Sequence, residues 1–262
     1  MTDIGVSRPI PPPASAIKRG KRALEAVVRR MPGFRMAPET DFHSDRYLAL
    51  TQRRLEHLAT LKLEIAGRTV LEVGAGIGDL TGFFVARECR VIATDGRTAN
   101  IAILRRRYPS VDIRLLNLEN GRASDDLRSD VICCYGVLYH LSRPAEALRL
   151  MARLCAGLML VETCVSFGDD SAVNLVDERG WIPSQAISGT GCRPTRRWVR
   201  EELSRSFPHV YMPTTQPWHP EFPADWTPRD STSLTRAIFV ASREPIDNPV
   251  LTESIPERQG RA

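Results

Sequence analysis

The chain has 262 residues, 42% of them hydrophobic and 26% charged, which is enough to bury a core and excludes wholesale disorder. No apolar run approaches the roughly 18 residues that span a bilayer, and no apolar segment follows the cationic N-terminus, so the expected protein is soluble and cytoplasmic. The net charge of +5 resides in residues 1–40, which carry eight basic and three acidic side chains, whereas the rest of the chain holds 28 of each.

In chain order, the four prolines within residues 1–13 read as extended chain. Residues 14–31 place Ile17, Leu24, Val27, Val28 and Met31 at roughly helical spacing among basic groups, and Pro32-Gly33 ends that pattern. A helix is predicted over 44–63, capped by Ser44 or Asp45, with Leu48, Leu50, Leu55, Leu58 and Leu61 as its apolar face. From Arg68 onward short β-branched runs alternate with helical ones. Strands are expected at 69–73, 90–94, 112–116, 130–135 and 158–163, and helices at 79–87, 98–107 and 144–155. That alternation predicts βαβ units and a doubly wound parallel sheet covered on both faces.

After Val165 a polar, Gly-rich stretch runs to about 191. A helix over 195–207 with Pro194 at N1 follows, then strands at 209–212 and 236–241. The domain plan is therefore a basic arm (1–40), a helical cap (41–66), an α/β domain (67–243) whose insertions at 166–191 and 214–235 are expected to build the acceptor site, and a loosely packed tail (244–262). Cys89, Cys133, Cys134, Cys155, Cys164 and Cys192 show no metal-ligand spacing and sit mostly in apolar runs, so free buried thiols and no metal are expected.

The sharpest segment is Val70-Leu-Glu-Val-Gly-Ala-Gly-Ile-Gly-Asp79, a strand running into a glycine turn and a helix. A dinucleotide fingerprint would need glycine where Asp79 stands, and the turn lacks the ending of a phosphate-cradling loop. Glu72 and Asp79 repel an anionic phosphate and suit a cationic ligand. The second strand ends in Asp95, positioned to reach a ribose diol across the sheet's switch point. A nucleoside with a cationic tail satisfies all of these features.

In these residues the chain resembles the class I S-adenosylmethionine (SAM)-dependent methyltransferases, over about 68–165 and on toward 243. The family's acid two residues before GxGxG is matched by Glu72, Gly74, Gly76 and Gly78, with Ala75 between the first two glycines. The resemblance implies a Rossmann-like seven-stranded methyltransferase sheet and SAM as the cofactor. It implies that Asp95 meets the ribose, that Gly96 and Arg97 pass beside the adenine, and that Asn117, Leu118 or Glu119 contacts the adenine. It places Tyr135 at the methionine end and Arg46 or Tyr47 near the SAM carboxylate.

A methyl sulfonium is already reactive, so the protein mainly aligns donor and acceptor, and a base is needed only where the acceptor must lose a proton. The candidate bases are His140, His219 and His43. Arg193, Arg196 and Arg197 cluster at the start of a helix, either as an anion clamp or as solvated charge. The expected acceptor is a small or medium-sized metabolite or glycan. The alternatives are an RNA-modifying methyl- or carboxymethyltransferase that uses the basic arm to meet nucleic acid, and a SAM-binding partner protein without transferase activity.

Overall fold

The computed structural model describes residues 36–227 and 234–262, which fall in the compact unit Met36–Ala262. The predicted arm and the helical pattern over 14–31 lie outside the described residues, as does part of the 214–235 insertion.

Two helices open the unit, α1 (Pro38–Phe42) and α2 (Asp45–Thr60). Then β1 (Thr69–Glu72), α3 (Thr81–Val85), β2 (Arg90–Asp95), α4 (Thr98–Arg107) and β3 (Asp112–Leu115) alternate. They are followed by β4 (Ser129–Tyr135), α5 (Pro144–Leu154) and β5 (Cys155–Val165). A hairpin of β6 (Val173–Asp177) and β7 (Thr190–Pro194) precedes α6 (Arg196–Ser204). The chain ends with β8 (His209–Pro213), β9 (Thr215–Gln216), β10 (Thr235–Ser242), β11 (Leu251–Thr252) and β12 (Gly260–Arg261).

The main sheet runs β11-β8-β10-β5-β4-β1-β2-β3. Strands β3, β2, β1, β4 and β5 are parallel, β10 is antiparallel to β5, and β8 is antiparallel to β10. The doubly wound prediction holds. The sheet has eight strands rather than seven, because two residues of the tail add β11 to its edge. After β1 the chain winds one way through β2 and β3, then returns to place β4 on β1's other side. The carboxyl ends of β1 and β4 therefore open a crevice, the place where ligands bind in sheets of this kind.

Several expectations change. The helix over 98–107 is found as predicted, whereas 79–87 contracts to α3 because residues 77–80 are used in the glycine turn. Leu48 is 44% exposed and does not belong to the inner face of α2; that face is Leu50, Thr51, Arg54, His57 and Leu58. Pro194 ends β7 instead of starting the next helix, and Thr195 is the N-cap, its hydroxyl accepting from Trp198 N. Residues 166–191 are not wholly irregular, because β6 forms there by pairing with β7. The strand carries little apolar signal, with Leu175 61% exposed, so its order comes from cross-strand bonding rather than burial. The tail is tied down: Gln259 Nε2 donates to Pro213 O, and Gln259 Oε1 accepts from Trp226 Nε1 and Gln216 Nε2.

The polar inner face of α2 docks through charge. Arg54, 1% exposed, lies 2.7 Å from the Glu162 carboxylate on β5, and Arg236 on β10 donates to the same carboxylate at 3.0 Å. Arg236 also donates to Glu221 at 2.6 Å and to the Tyr139 hydroxyl at 3.2 Å, and Glu221 pairs with Arg46 at the start of α2. Removing one member of such a buried set leaves its partners charged in a dry place. We expect Glu162→Ala, which strands two guanidiniums, to cost about 3–5 kcal/mol in urea unfolding. The loss should be clearly non-additive with Arg54→Met.

Candidate active site

The crevice at the switch point is a cleft of ≈640 Å³, open mouth included. Its floor is Gly74, Gly76, Asp95, Gly96 and Arg97 from the ends of β1 and β2, with Leu116 to Glu119 beyond β3. One wall is Gly136, Val137, His140 and Leu141 after β4; Phe42 and Tyr47 of the helical cap close another side, and residues 183–187 form the roof. A smaller space of ≈320 Å³ adjoins it, shares Phe42, Tyr47 and Gly74, and is lined by Glu72, Ala75, Asp79 and Tyr135.

The glycine turn has steric reasons for its composition. Gly74 and Gly76 have φ of +64° and +59°, a region where side chains are strained. A Cβ on Gly76 would fall 2.8 Å from the Phe42 ring, and one on Gly74 would overlap Val137. Gly78, also at positive φ, packs against Tyr108 and Leu104 of the α4 region, outside both clefts.

Electrostatically the crevice is acidic and dry. Asp95 is buried, and its carboxylate accepts from Gly76 N at 3.0 Å, Arg97 N at 2.8 Å and Asn100 Nδ2 at 3.1 Å. Burial nonetheless raises its pKa to about 6, against the pull of those donors. Glu72 is also buried and accepts from the Thr81 hydroxyl at 2.6 Å. Burial, with Asp79 and Asp95 adding repulsion, raises its pKa to about 8. Among the described residues the buried Tyr135 hydroxyl has no hydrogen-bond partner, nor do Nε and Nη2 of Arg54; the contact of Nη2 with Glu162 is close but off the bonding direction. The Arg54 guanidinium lies 3.2–3.3 Å from where a Cβ on Gly136 would sit, so Gly136 brings it close to the cleft wall.

The other predicted residues divide. Asn117 caps the turn after β3 by accepting from Glu119 N, and Leu118 is buried under it. The Glu119 carboxylate accepts from Ser142 N and Oγ, and the Arg97 guanidinium donates to Gln185 O of the roof. His140 lines the cleft, with its Nδ1 against the Glu178 carboxylate. His43 is exposed, 3.9 Å from Asp79, and lines neither cleft. His219 also stands apart, its Nδ1 accepting from Glu221 N. Arg46 points to Glu221 rather than into the cleft. Arg196 stacks on Trp226 and donates to Pro256 O, and Arg197 pairs with Glu201, so these two face away from the cleft, whereas Arg193, the third of the predicted cluster, turns to Glu178.

Sequence reasoning did not single out Arg54 or Glu178, and it took Phe42, Val137 and the roof over 183–187 only as parts of longer stretches. An arginine at the centre of an otherwise amphipathic helix face was the available signal for Arg54; the roof lies within the 166–191 insertion expected to build the acceptor site.

The sign of the pH effect at Glu72 follows from its raised pKa. Between about pH 4.5 and 8 the folded state holds a proton that the unfolded chain has released, so stability falls as pH rises through that window. Glu72→Gln removes this loss. The variant should melt higher than wild type at pH 8.5 and match it near pH 4, in scanning calorimetry of the ligand-free protein.

Residues 42–210 match a family model described as a methyltransferase domain. The chain is 30% identical over 105 residues to a ubiquinone biosynthesis O-methyltransferase of Alkalilimnicola ehrlichii, covering 38% of this chain and 42% of that protein. It is 37% identical over 100 residues to a protein of Mycolicibacterium smegmatis named probable S-adenosylmethionine-dependent methyltransferase, covering 37% of this chain and 38% of that one. The chain thus spans about two fifths of the length of the curated relatives it matches. Among solved structures, the N-terminal domain of EvdMO1 in the presence of S-adenosylhomocysteine and D-fucose superposes with a TM-score of 0.55 at 17% identity. That match covers 86% of this chain and 96% of that domain, a likeness of fold. No helix among the described residues is long and apolar enough to cross a membrane. Because the matched model runs over more than half of its residues, from the cap helices to β8, the chain belongs to the methyltransferase domain family, among the class I SAM-dependent methyltransferases.

Proposed function

We propose that the protein transfers a methyl group from SAM to a small or medium-sized acceptor, a metabolite or glycan. The observation that carries this reading is the pair of buried acids, Glu72 and Asp95, standing at a glycine turn in a roofed crevice. A dry acid of raised pKa is costly to ionise alone, and a cation beside it offsets that cost. A zwitterionic amino acid carrying a sulfonium brings such charge, and a dinucleotide pyrophosphate brings the opposite.

When bound, SAM supplies a methyl group on a positively charged sulfur. The chain's own residues bind and orient it. Asp95 has carboxylate lone pairs beyond those given to Gly76, Arg97 and Asn100, and serves the ribose hydroxyls. Glu72, with the unpartnered Tyr135 hydroxyl, serves the ammonium. Arg54, which backs Gly136 on the cleft wall, serves the carboxylate in place of Arg46, which pairs with Glu221. Asn117, Leu118 and Glu119 border the adenine side together with Gly96 and Arg97. Phe42, Tyr47 and the roof exclude water, which strengthens each of these interactions.

A roof over the cleft favours a compact acceptor over a polymer. The relatives agree in kind, one being named for ubiquinone biosynthesis and another being a domain crystallised in the presence of D-fucose.

The test is a thermal-shift and calorimetric titration with SAM, S-adenosylhomocysteine, carboxy-SAM and NAD. SAM and its product should each stabilise the wild type, by about 2.7 kcal/mol at about 100 times the dissociation constant. Asp95→Ala should lose most of that shift. Methyl label from SAM should then enter the small-molecule fraction of a cell extract rather than its RNA. Absence of any adenosyl ligand effect would overturn the reading, and preference for carboxy-SAM would replace methyl transfer with carboxymethyl transfer.

A further inference from the structure

His140 stands on the turn after β4 with its side chain 17% exposed and lining the cleft. Its Nδ1 is taken by Glu178 Oε2, so Nε2 is the ring nitrogen left for chemistry. Glu178, 4% exposed, comes from the connection between β6 and β7, the same connection that roofs the cleft. Its carboxylate also accepts from Ala186 N at 2.8 Å and from Arg193 Nη2 at 3.3 Å. Arg193 is held in turn by Cys192 O at 2.6 Å and Tyr139 O at 3.2 Å. Gly191 makes room for this hub, since a Cβ there would lie 2.8 Å from Glu178 Oε1.

Four charged or polar neighbours thus face this pair: Arg193 from β7, Tyr139 with its ring 3.9 Å from the imidazole, the roof amide of Ala186, and Arg236 of β10 acting through space. Glu178 is buried, but the bond from His140 and the Ala186 amide keep its pKa low and the carboxylate ionised. An ionised carboxylate only accepts, so Nδ1 must carry the proton it shares. Burial also lowers the His140 pKa, against the pull of Glu178, which keeps the ring neutral and Nε2 unprotonated near pH 7.

We propose that Glu178 is the positioning residue of this site: it holds His140 in the Nδ1–H tautomer so that Nε2 accepts the proton of the methyl acceptor, and through Ala186 it makes that arrangement depend on closure of the 178–189 segment. The proposal rests on the methyl-transfer reading above and narrows its acceptor to an O–H or N–H group. As the acceptor's heteroatom bonds the methyl carbon, its own proton passes to Nε2, and the carbon–sulfur electron pair stays with sulfur. Opening of the segment then exposes the imidazolium, which returns the proton to water. A thioether or a tertiary amine needs no such base.

The test uses the full chain labelled with 15N in histidine and saturated with S-adenosylhomocysteine, read by multiple-bond 1H–15N correlation with His140→Asn to assign the signal. Wild type should show His140 protonated on Nδ1 with an unprotonated Nε2. In Glu178→Gln, which keeps the shape and a hydrogen-bonding oxygen, the His140 pKa should fall. In Glu178→Ala the proton should move toward Nε2. Hydrogen exchange at the Ala186 amide should slow at least tenfold on ligand binding in wild type, and this slowing should be lost in Glu178→Ala.

Binding of S-adenosylhomocysteine with an Nε2–H tautomer in wild type would overturn the Glu178 assignment alone, as would an unchanged His140 pKa in Glu178→Gln. Failure of S-adenosylhomocysteine to bind wild type would overturn both this proposal and the methyl-transfer reading.

Discussion

Two carboxylic acids are held largely out of water, and most of the site follows from that placement. Glu72 ends β1 and Asp95 ends β2, so the parallel register that pairs Glu72 with Ala93 brings both acids to one edge of the sheet. There the chain reverses its winding, and the crevice between β1 and β4 opens beside them. Burial penalises their charged forms, as the raised pKa of each records. Sites tuned to function are where such penalties concentrate, because a ligand of opposite charge converts the penalty into affinity. The glycine turn completes the arrangement by letting backbone and ligand approach closely.

The cap is held by a second device. A core-facing helix is expected to be apolar on its inner side, yet α2 turns Thr51, Arg54 and His57 inward. The set of Arg54, Glu162, Arg236, Glu221 and Arg46 compensates Arg54 by linking α2 to β5, β10 and the 217–222 stretch, and His57 meets Thr215 through Nε2. Buried ion sets of this kind contribute less to stability than an apolar seam of equal volume, but they fix one register. Here the register sets Phe42 and Tyr47 against the glycine turn, their rings edge to face at 5.0 Å. A network that joins the cap to the carboxyl edge also places Arg54 and the Tyr135 hydroxyl next to the cleft with bonding capacity to spare.

The parts of this molecule readable from the sequence are those where local pattern and tertiary fate agree. Residues 98–107 are helical by periodicity and are a helix in the fold. The run from Val70 to Asp79 reads as strand, turn and helix because β-branched residues, glycines and their order each force one local geometry. Asp95 was reachable by counting along that framework, and Asn117, Leu118 or Glu119 through the resemblance. The hairpin of β6 and β7 was not, because its strands bury little and are ordered by pairing with partners distant in sequence. Arg54, Glu162, Arg236 and Glu178 were also hidden. Each is an ordinary charged residue in one dimension, and only the sheet order brings them together. His43, His219 and Arg46 were singled out for their chemistry, and the fold sends each to another partner. A side chain's type is local, whereas what it faces is a property of topology.

Proton counting on ligand binding tests the central claim most directly. At pH 7 Glu72, with a pKa of about 8, is mostly protonated, and a cationic ligand seated beside it must drive that proton off. Calorimetric titration of SAM at pH 7, repeated in buffers of different ionisation enthalpy, measures the net protons exchanged. The account predicts a net release approaching one proton per SAM in wild type, largely lost in Glu72→Gln. Net uptake, or a release unchanged in that variant, would contradict it.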